Sequence, residues 1–517
     1  KYQNKVLSQL TTESSVTAER GRIYDTNRTV LATNVTTYRV FISPRTIREY
    51  SEEDGTRYDE IIANGLSGLL DTTYENVMKQ TTYTRYLDRT IARQVDEQTA
   101  AQVEEFIDKY RLNNMVFLQA GSKRYYPHGT LACHVLGFTT SDGGGAYGLE
   151  LQYDSLLSGT SGRYITARDS HGNEMPYEYQ SYIRASDGHS IVTTLDVYVQ
   201  SVLEEQLSTA YIEAGGQSRA CGIVIDVETG GILGMATYPS FDLNDPRTLN
   251  ADSQSKLNAS GYAAGTEAYL KLKQELQLTT WANKSITEAY MPGSTFKIVT
   301  ASMAYEENLV SAGETFYCPG YFKVGGRTIH CHKIAGHGSL TFAQGLQQSC
   351  NPILMMMGLR IGQERFYNYF RSFGYLEKTG VDLPGEGVSI FYKPENFKEI
   401  DLATASFGQN FKITPLQQIM AVTTVASGGY LLTPHLLKEE LDSNGNVVKS
   451  YETNVRRQVI STDTATQLAK ILEEGVSGNG GAKNAYVAGY RVAAKTGTSE
   501  KIDKKDDSGR EDYVCSC

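Results

Sequence analysis

The sequence predicts a multidomain α+β protein, and three observations support this. Its 517 residues are more than one hydrophobic core usually organises, so two or three domains are expected. Strand-like and helix-like hydrophobic patterns both occur along the chain. The pattern of hydrophobic residues changes near residue 190, which predicts an N-terminal domain over 1–190 and a C-terminal domain over 191–517.

The N-terminal domain begins with short strands and continues with helices. The segments RGRIYD and YRVFIS alternate apolar and polar side chains, as strands do. Residues 51–118 are mostly helical in pattern, for example in ARQVDEQTAAQVEEFIDKY. The glycine cluster in TTSDGGGAYG predicts a loop.

The C-terminal domain starts with a strand, a helix and a hairpin. SIVTTLD predicts the strand, and ACGIVIDVETGGILGMATYP predicts a hairpin that turns at Glu228, Thr229 and Gly230. The helix between them ends at Gly215 and Gly216. One apolar stripe is expected along it, formed by Val199, Val202, Leu203, Leu207 and Ala210. This mixture indicates an α+β or α/β domain.

Composition excludes several classes of protein. A net charge of −10 argues against binding to nucleic acid, whose phosphates require clustered Lys and Arg. The hydrophobic content of 40% and charged content of 21% are those of a globular chain. The seven cysteines are scattered and odd in number, unlike the framework of a small disulfide-rich domain. No apolar run approaches the length that spans a bilayer.

Three short motifs in the C-terminal domain carry side chains suited to catalysis. YMPGSTFK places Ser294 and Lys297 three residues apart, on one face of a helix that Ser294 or Thr295 can cap. QQSCNP places Ser349 and Asn351 on either side of Cys350. AAKTGTSE follows an apolar segment and predicts a strand that contains Lys495, Thr496, Gly497 and Thr498.

Each motif alone has an ordinary structural interpretation. Ser294 and Lys297 describe either an activated nucleophile with its base or a capped helix whose lysine faces water. Their order along the chain favours catalysis, because S-x-x-K, S-x-N and K-T-G resemble the active-site set of β-lactamases and penicillin-binding proteins. The middle motif has Cys350 where aspartate is usual.

Longer stretches extend this resemblance to class B penicillin-binding proteins. ERGRIYDTNRTVLATN resembles their first pedestal motif, with Arg28 where glycine is usual. RYYPHGTLACHVLGF and GAYGLELQYDSLLSGTSG resemble later pedestal motifs, and NKSITEAYMPGSTFK and FGQNFKITPLQQIMAVTTVASGG resemble the transpeptidase domain. The matches run from Arg20 to Thr498. The resemblance implies a non-catalytic pedestal followed by a transpeptidase domain built as an α/β/α sandwich around an antiparallel sheet, as in serine β-lactamases. Members of the family usually continue beyond K-T-G, so we expect this chain to lack the end of that domain.

The resemblance implies a role for each motif residue in acyl transfer from D-Ala-D-Ala. Ser294 is the nucleophile, and Lys297 is the base that takes its proton. Ser349 relays that proton to the departing D-Ala, and Asn351 binds Lys297 and the substrate amide. Lys495 binds the substrate carboxylate together with Thr496 or Thr498. Gly497, which lacks a Cβ, lets a peptide lie against the strand, and the backbone N–H groups of Ser294 and Thr498 form the oxyanion hole.

The resemblance also implies partners and a location. The expected substrates are peptidoglycan stem peptides on lipid-linked precursors, the expected inhibitors are β-lactams, and the expected partner is a membrane glycosyltransferase. Family members act outside the cytoplasmic membrane on one N-terminal anchor, which would precede this chain. Two alternatives remain at this stage: a serine β-lactamase, and a non-catalytic β-lactam sensor or morphogenesis scaffold. The pedestal favours the transpeptidase over the β-lactamase.

No cofactor is required by this chemistry, but the density of cysteine and histidine in two segments raises the question of a zinc site. YCPGYFKVGGRTIHCHKIAGHG contains two cysteines and three histidines, and YVCSC contains Cys515 and Cys517. Cys318 and Cys331 are too far apart in sequence for a C-x₂-C knuckle. Cys515 and Cys517 would share one face of a strand beside residues 495–498, which predicts a zinc site there, completed by Asp512 or by a histidine from 330–337 such as His332. Buried free thiols or a disulfide are the alternative interpretation of the cysteines. Cys350 is expected to pack in the interior.

Overall fold

The computed structural model describes residues 11–16, 18–167, 181–216, 218–478, 480–505 and 511–517. The strands of the N-terminal domain are β1 (Thr11–Val16), β2 (Ile23–Tyr24), β3 (Val30–Ile42), β4 (Arg89–Val95), β5 (Val116–Tyr125), β6 (Gly162–Ala167) and β7 (Ser181–Ile183). Its helices are α1 (Pro44–Asp54), α2 (Tyr58–Leu69), α3 (Tyr74–Thr81), α4 (Glu97–Tyr110), α5 (Cys133–Leu136), α6 (Gly148–Gln152) and α7 (Asp154–Leu157).

The C-terminal domain is richer in helix. Its strands are β8 (Ser190–Thr193), β9 (Ala220–Ile225), β10 (Ile232–Tyr238), β11 (Thr315–Cys318), β12 (Tyr321–Val324), β13 (Arg327–His330), β14 (Gly338–Thr341), β15 (Tyr430–Leu432), β16 (Leu437–Leu441), β17 (Val447–Ser450), β18 (Val455–Gln458), β19 (Gly497–Lys505) and β20 (Glu511–Ser516). Its α-helices are α8 (Val197–Glu213), α9 (Ala251–Ala259), α10 (Glu267–Trp281), α11 (Lys284–Thr287), α12 (Lys297–Glu306), α13 (Phe342–Gln347), α14 (Asn351–Ile361), α15 (Gln363–Ser372), α16 (Glu399–Ala405), α17 (Pro415–Ala426) and α18 (Thr462–Ser477). Short 3₁₀ helices cover Gly293–Phe296, Pro394–Asn396 and Lys483–Ala485.

A seven-stranded sheet joins the two predicted domains. Its order is β17-β16-β8-β2-β3-β4, and β5 also pairs with β3. Strand β8 runs parallel to β2 and antiparallel to β16. The predicted boundary near residue 190 therefore falls where the chain enters a strand that pairs with both domains.

The first pedestal motif forms a buried ion network. Glu150 accepts hydrogen bonds from Arg20 at 2.7 Å and from Arg124 at 2.6 Å, and its side chain is fully buried. Two guanidinium groups offset the cost of burying this carboxylate. Arg28, which replaces the usual glycine, keeps the turn because it adopts φ 66° and its backbone N–H bonds to the carbonyl of Asp25 at 3.1 Å.

Most predicted elements are present, with two differences. The hairpin β9–β10 is antiparallel as expected, and Gly230 turns with φ 79°. The stripe of α8 is only partly correct, because Val202 and Ala210 are exposed whereas the other three stripe residues are partly buried. The antiparallel sheet expected for the transpeptidase domain is seen, among the described strands, as separate antiparallel pairs that include β9–β10 and β19–β20.

The largest core lies among the helices of the C-terminal domain and fixes the start of α12. Phe296 is fully buried. Its ring contacts four other aromatic rings with centroids 4.9 to 6.0 Å away, those of Phe366, Phe370, Tyr375 and Phe411. Because protein interiors are close-packed, the packing of the Phe296 ring fixes the backbone that carries Ser294 and Lys297. Within the described ranges, none of the helices combines the length and apolar character needed to cross a bilayer.

Candidate active site

Ser294 lies in the 3₁₀ turn that leads into α12. Neither Ser294 nor Thr295 caps the helix through its side chain, contrary to the prediction, because the chain is already helical at Phe296. The Thr295 hydroxyl instead donates to the carbonyl of Pro292 at 2.8 Å. Residues 291–304 are buried except Ser294, which is partly exposed. The nucleophile candidate is thus the one side chain of this stretch that reaches the surface.

Gly293 brings the first motif against the third. It has φ 58°, and a Cβ on it would lie 2.7 Å from the carbonyl oxygen of Thr498. Its backbone N–H donates to the carbonyl of Gly408 at 3.0 Å. A side chain at position 293 would push the K-T-G segment away, so glycine allows Ser294 to sit beside Thr498.

Lys297 contacts the middle motif from inside the protein. Its side chain is fully buried. The Nζ atom lies 2.6 Å from Oδ1 of Asn351, 2.7 Å from the carbonyl oxygen of Ser349 and 3.1 Å from Oγ of Ser349. The first and second motifs, distant in sequence, therefore meet at one amine.

The environment of Lys297 favours its neutral form. Burial lowers the pKa of Lys297 well below its ordinary value, and the positive charge of Lys495 lowers it further. A lysine that is neutral near pH 7 can accept a proton. This is the property that the base of a serine nucleophile requires.

Ser349 sits in a tight turn between α13 and α14. Its φ of 55° is in the left-handed region, which costs energy for any residue with a Cβ. The turn is held because the N–H of Ser349 bonds to the carbonyl of Leu346 at 3.1 Å and that of Cys350 to the carbonyl of Gly345 at 2.8 Å. Cys350 is fully buried, as predicted, while Ser349 and Asn351 both reach Lys297.

Lys495 approaches the same hydroxyl from the other side. Its Nζ lies 3.0 Å from Oγ of Ser349 and 2.8 Å from the carbonyl oxygen of Thr496. Burial lowers the pKa of Lys495 to about 8, so it remains largely protonated at neutral pH. Ser349 Oγ is therefore shared by two lysines, one of which favours the neutral state and one the charged state.

The third motif lies at the start of β19. The strand begins at Gly497, so Lys495 and Thr496 precede it rather than lying on it as predicted. Thr496 and Thr498 are exposed while Gly497 is buried between them. The side chains of both threonines are therefore accessible from solvent.

Close packing against neighbouring residues explains why position 497 is a glycine. A Cβ on it would lie 2.6 Å from Oγ of Ser516 and 3.0 Å from both the Pro292 carbonyl and the Thr295 side chain. Ser499 adds a bond from its hydroxyl to the carbonyl of Met291 at 2.7 Å. The strand is therefore fastened directly to the turn that carries Ser294, a contact that no sequence motif revealed.

The residues that the sequence predicts as zinc ligands do not form one group in the described part of the chain. Cys515 and Cys517 are exposed, His332 is exposed, and the side chain of Asp512 lies outside the described residues. A different set of ligand atoms converges instead, within 4.8 Å of one another, from Cys318, Cys331, His337 and Cys350.

The described motifs can carry out acyl transfer. A partly exposed hydroxyl, that of Ser294, lies three residues in the chain before a buried amine that favours its neutral form. The hydroxyl of Ser349 lies 3.1 Å from this amine and 3.0 Å from the amine of Lys495, and two threonines of the third motif are exposed. Sequence reasoning assigned all of these side chains. It missed Gly408 and Ser499, whose backbone and side-chain bonds join the motifs; only their proximity to the motifs in FGQN and KTGTS could have indicated them.

Comparison with known families and proteins accounts for nearly the whole chain. The model described as the penicillin binding protein transpeptidase domain matches residues 220–515, and the one described as the penicillin-binding protein dimerisation domain matches residues 15–193. Stage V sporulation protein D of Bacillus subtilis is 33% identical over 488 residues, which cover 94% of this chain and 69% of that protein. Peptidoglycan D,D-transpeptidase FtsI of Escherichia coli is 26% identical over 488 residues, covering 94% and 74%. The crystal structure of penicillin binding protein 2X from Streptococcus thermophilus shares the fold with a TM-score of 0.71 at 23% identity, covering 97% and 73% of the two chains.

Proposed function

The chain belongs to the class B penicillin-binding proteins, as its motifs indicated, and on this basis we propose that it is a peptidoglycan D,D-transpeptidase that works through an acyl-enzyme on Ser294. The transpeptidase activity is supported by the relatives named peptidoglycan D,D-transpeptidase. The serine mechanism rests on one observation about this chain: Lys297, buried and biased toward its neutral form, meets Ser349 and Asn351 at the start of the helix into which the turn bearing Ser294 leads.

Acylation follows from the positions of these groups. The Ser294 oxygen attacks the carbonyl carbon of the penultimate D-Ala, while Lys297 accepts the hydroxyl proton. The tetrahedral intermediate collapses when its C–N bond breaks. The proton passes from Lys297 through the hydroxyl of Ser349 to the leaving nitrogen, which departs as D-Ala. The 3.1 Å separation between Lys297 Nζ and Ser349 Oγ allows this transfer.

The second half-reaction reverses these steps with a new amine. The amino group of a neighbouring stem peptide attacks the ester on Ser294 and forms the cross-linking amide. Its proton returns to Ser294 through Lys297. A β-lactam enters the first half-reaction, but its ring-opened leaving group stays attached, so the ester persists.

Lys495 orients the substrate. Its charged amine, held beside Ser349, attracts the terminal carboxylate of the substrate. The hydroxyls of Thr496 and Thr498 lie on the exposed side of the segment and supply further donors. The backbone N–H groups of Ser294 and Thr498 provide the oxyanion hole, since Gly293 places those two residues side by side.

We propose the location and partners that this reaction requires. Peptidoglycan stem peptides are cross-linked outside the cytoplasmic membrane, so the active site faces that side. Lipid-linked precursors must first be polymerised, and a membrane glycosyltransferase is the partner class that supplies this product. The reaction chemistry itself calls on no cofactor.

Two reactions of the purified protein test this proposal: transfer of an acyl group to an acceptor, and acylation by penicillin. Purified protein is incubated with a peptide thioester that mimics the acyl donor and with a D-amino acid as acceptor. The proposal predicts exchange of the acceptor into the product, and loss of exchange in Ser294→Ala. Exposure to penicillin should leave an ester that lasts many minutes. Rapid penicillin turnover would indicate the β-lactamase alternative. A lasting penicillin ester without acceptor exchange would indicate the β-lactam sensor, and failure to react with either substrate would indicate the scaffold.

A further inference from the structure

Three cysteines and one histidine converge next to the active site although the transpeptidase mechanism uses none of them. The sulfur atoms of Cys318 and Cys331 each lie 3.6 Å from Nδ1 of His337. With the sulfur of Cys350, the four atoms all lie within 4.8 Å of one another. The three cysteines are buried and unpaired by disulfides, and the histidine is partly buried.

These distances match the edges of a zinc tetrahedron. With Zn–S of about 2.3 Å and Zn–N of about 2.0 to 2.1 Å, tetrahedral geometry places sulfur and nitrogen about 3.6 Å apart. Both measured sulfur–nitrogen distances have this value. A Cys₃His set with four protein ligands is a closed, structural zinc site, and three thiolates favour zinc over the hard cations.

The backbone around the cluster is shaped to bring the ligands together. The N–H of His337 donates to the carbonyl of Cys318 at 3.1 Å, and the N–H of Cys331 donates to the carbonyl of Gly320 at 2.9 Å. Gly320 and Gly336 have φ of 95° and 77°. A Cβ on Gly320 would lie 1.9 Å from the Ile334 carbonyl oxygen, and one on Gly336 would lie 2.4 Å from that of Cys318. Glycine at both positions allows the loop after β11 and the loop after β13 to approach each other closely, which brings the four ligand atoms together.

A disulfide would leave half of this arrangement unexplained. A disulfide joins only two of the three sulfurs, so it does not account for the position of the third buried thiol or of the histidine beside it. A single ion accounts for all four side chains. The successive spacings of 13, 6 and 13 residues (331 − 318, 337 − 331 and 350 − 337) explain why no familiar short motif appears in the sequence.

We propose that Cys318, Cys331, His337 and Cys350 bind one Zn²⁺ and that this ion holds the turn that carries Ser349 and Asn351. Cys350 is the residue between these two, so the ion ties the turn to the last residue of β11 and to the loop that follows β13. Asn351 makes a second, long contact to this region, from Nδ2 to the carbonyl of His330 at 3.5 Å. The four ligands act as positioning residues, through the turn that carries Ser349 and Asn351.

The binding part of this proposal is tested by metal content. Full-length protein purified without chelators under reducing conditions should contain about one zinc per chain, and the cobalt-substituted protein should show the absorption of tetrahedral Co²⁺ with thiolate ligands. His337→Ala and Cys331→Ser should lose most of the zinc. The matched control is Cys133→Ser, a buried cysteine outside the cluster, which should keep it. His337→Cys supplies another thiolate and should also retain zinc, which distinguishes loss of a ligand from loss of folding.

The positioning part is tested by acylation, and it rests on the proposed function. His337→Ala should react with a fluorescent penicillin about 10- to 100-fold more slowly, and His337→Cys should recover most of the rate. Ser294→Ala should keep its zinc but lose acylation, so the two proposals fail separately. Two results would overturn the zinc site. One is wild-type protein that holds no zinc after dialysis against a zinc-containing buffer, and the other is a Cys331–Cys350 disulfide in protein purified under reducing conditions. Unchanged acylation in zinc-free His337→Ala would overturn the positioning role.

Discussion

The amine of Lys297 lies 2.6 Å from the side-chain oxygen of Asn351, and the same amine is 3.1 Å from the hydroxyl of Ser349. These contacts join residues more than 50 positions apart in the chain. They hold the buried amine between Asn351, which accepts a hydrogen bond from it, and Ser349, whose hydroxyl would relay its proton. The predictions below follow from this relationship and from the packing that maintains it.

Replacing Lys297 should abolish most acylation. Lys297→Met fills a similar volume but removes the base, so the second-order rate constant for fluorescent penicillin should fall by about 100- to 10,000-fold. Lys271→Met, on the exposed side of α10, is the matched control and should react normally. A Lys297→Met rate within twofold of wild type would contradict the assigned role.

Acylation should decrease as the pH rises through about 8. Burial lowers the pKa of Lys495 to about 8, and its charged form binds the carboxylate. Deprotonation above that pH therefore weakens substrate binding, which a rate profile from pH 6 to 10 measures. Lys495→Arg should move this decrease to higher pH, because arginine stays charged. A wild-type rate that stays constant up to pH 10 would exclude this role of Lys495.

The same lowered pKa should make Lys495 a source of instability. Its pKa in the folded state is below that in the unfolded state, so the unfolded chain binds more protons between about pH 8 and 10.5. The contribution of this group to the free energy of unfolding therefore increases as pH rises through that interval. Lys495→Met should raise the melting temperature at pH 7 while it slows acylation. Thermal unfolding checks this, and a lower melting temperature would argue against a destabilising charge.

The left-handed conformation of Ser349 predicts a difference between two variants that both lack its hydroxyl. At φ 55° alanine is strained and glycine is not. Ser349→Gly should therefore unfold at a higher temperature than Ser349→Ala, by the equivalent of about 1 kcal/mol. Both should react slowly with penicillin. Equal stability of the two variants would mean that the turn does not adopt this conformation.

Gly497→Ala should separate the third motif from the first. Its Cβ would approach the Pro292 carbonyl to 3.0 Å, so the strand must shift relative to Ser294. We expect acylation to slow at least 10-fold, since small displacements of reacting groups are costly. Gly68→Ala is the control, because α2 leaves open space there and alanine favours a helix. If Gly497→Ala reacted at the control rate, the packing contact would be unimportant for catalysis.

The sequence predicted the chemistry of the site more fully than its geometry. Ser294, Lys297, Ser349 and Lys495 were assigned from motif order. The helix start at Lys297 was predicted with a side-chain cap, but a 3₁₀ turn provides it instead, since tertiary packing of Phe296 fixes the backbone. The role of Gly497 was attributed to substrate, whereas the structure gives contact with residues 292 and 295.

Long-range relationships were the part that local patterns could not supply. The pairing of β8 with β2 and β16 depends on strands far apart in sequence. The Cys₃His cluster is likewise built from three segments separated by up to 13 residues. The zinc site predicted at Cys515 and Cys517 followed from their expected place on a strand beside residues 495–498. Both cysteines are exposed in the structure, and such a local pattern carries no information about a cluster formed by distant residues.

Mass spectrometry of the protein after reaction with penicillin tests the central claim most directly. We predict that one penicillin adds per chain and that the modified peptide contains Ser294, with no addition to the Ser294→Ala variant. An adduct on another residue, or an equal adduct on Ser294→Ala, would show that the groups around Lys297 serve a different nucleophile.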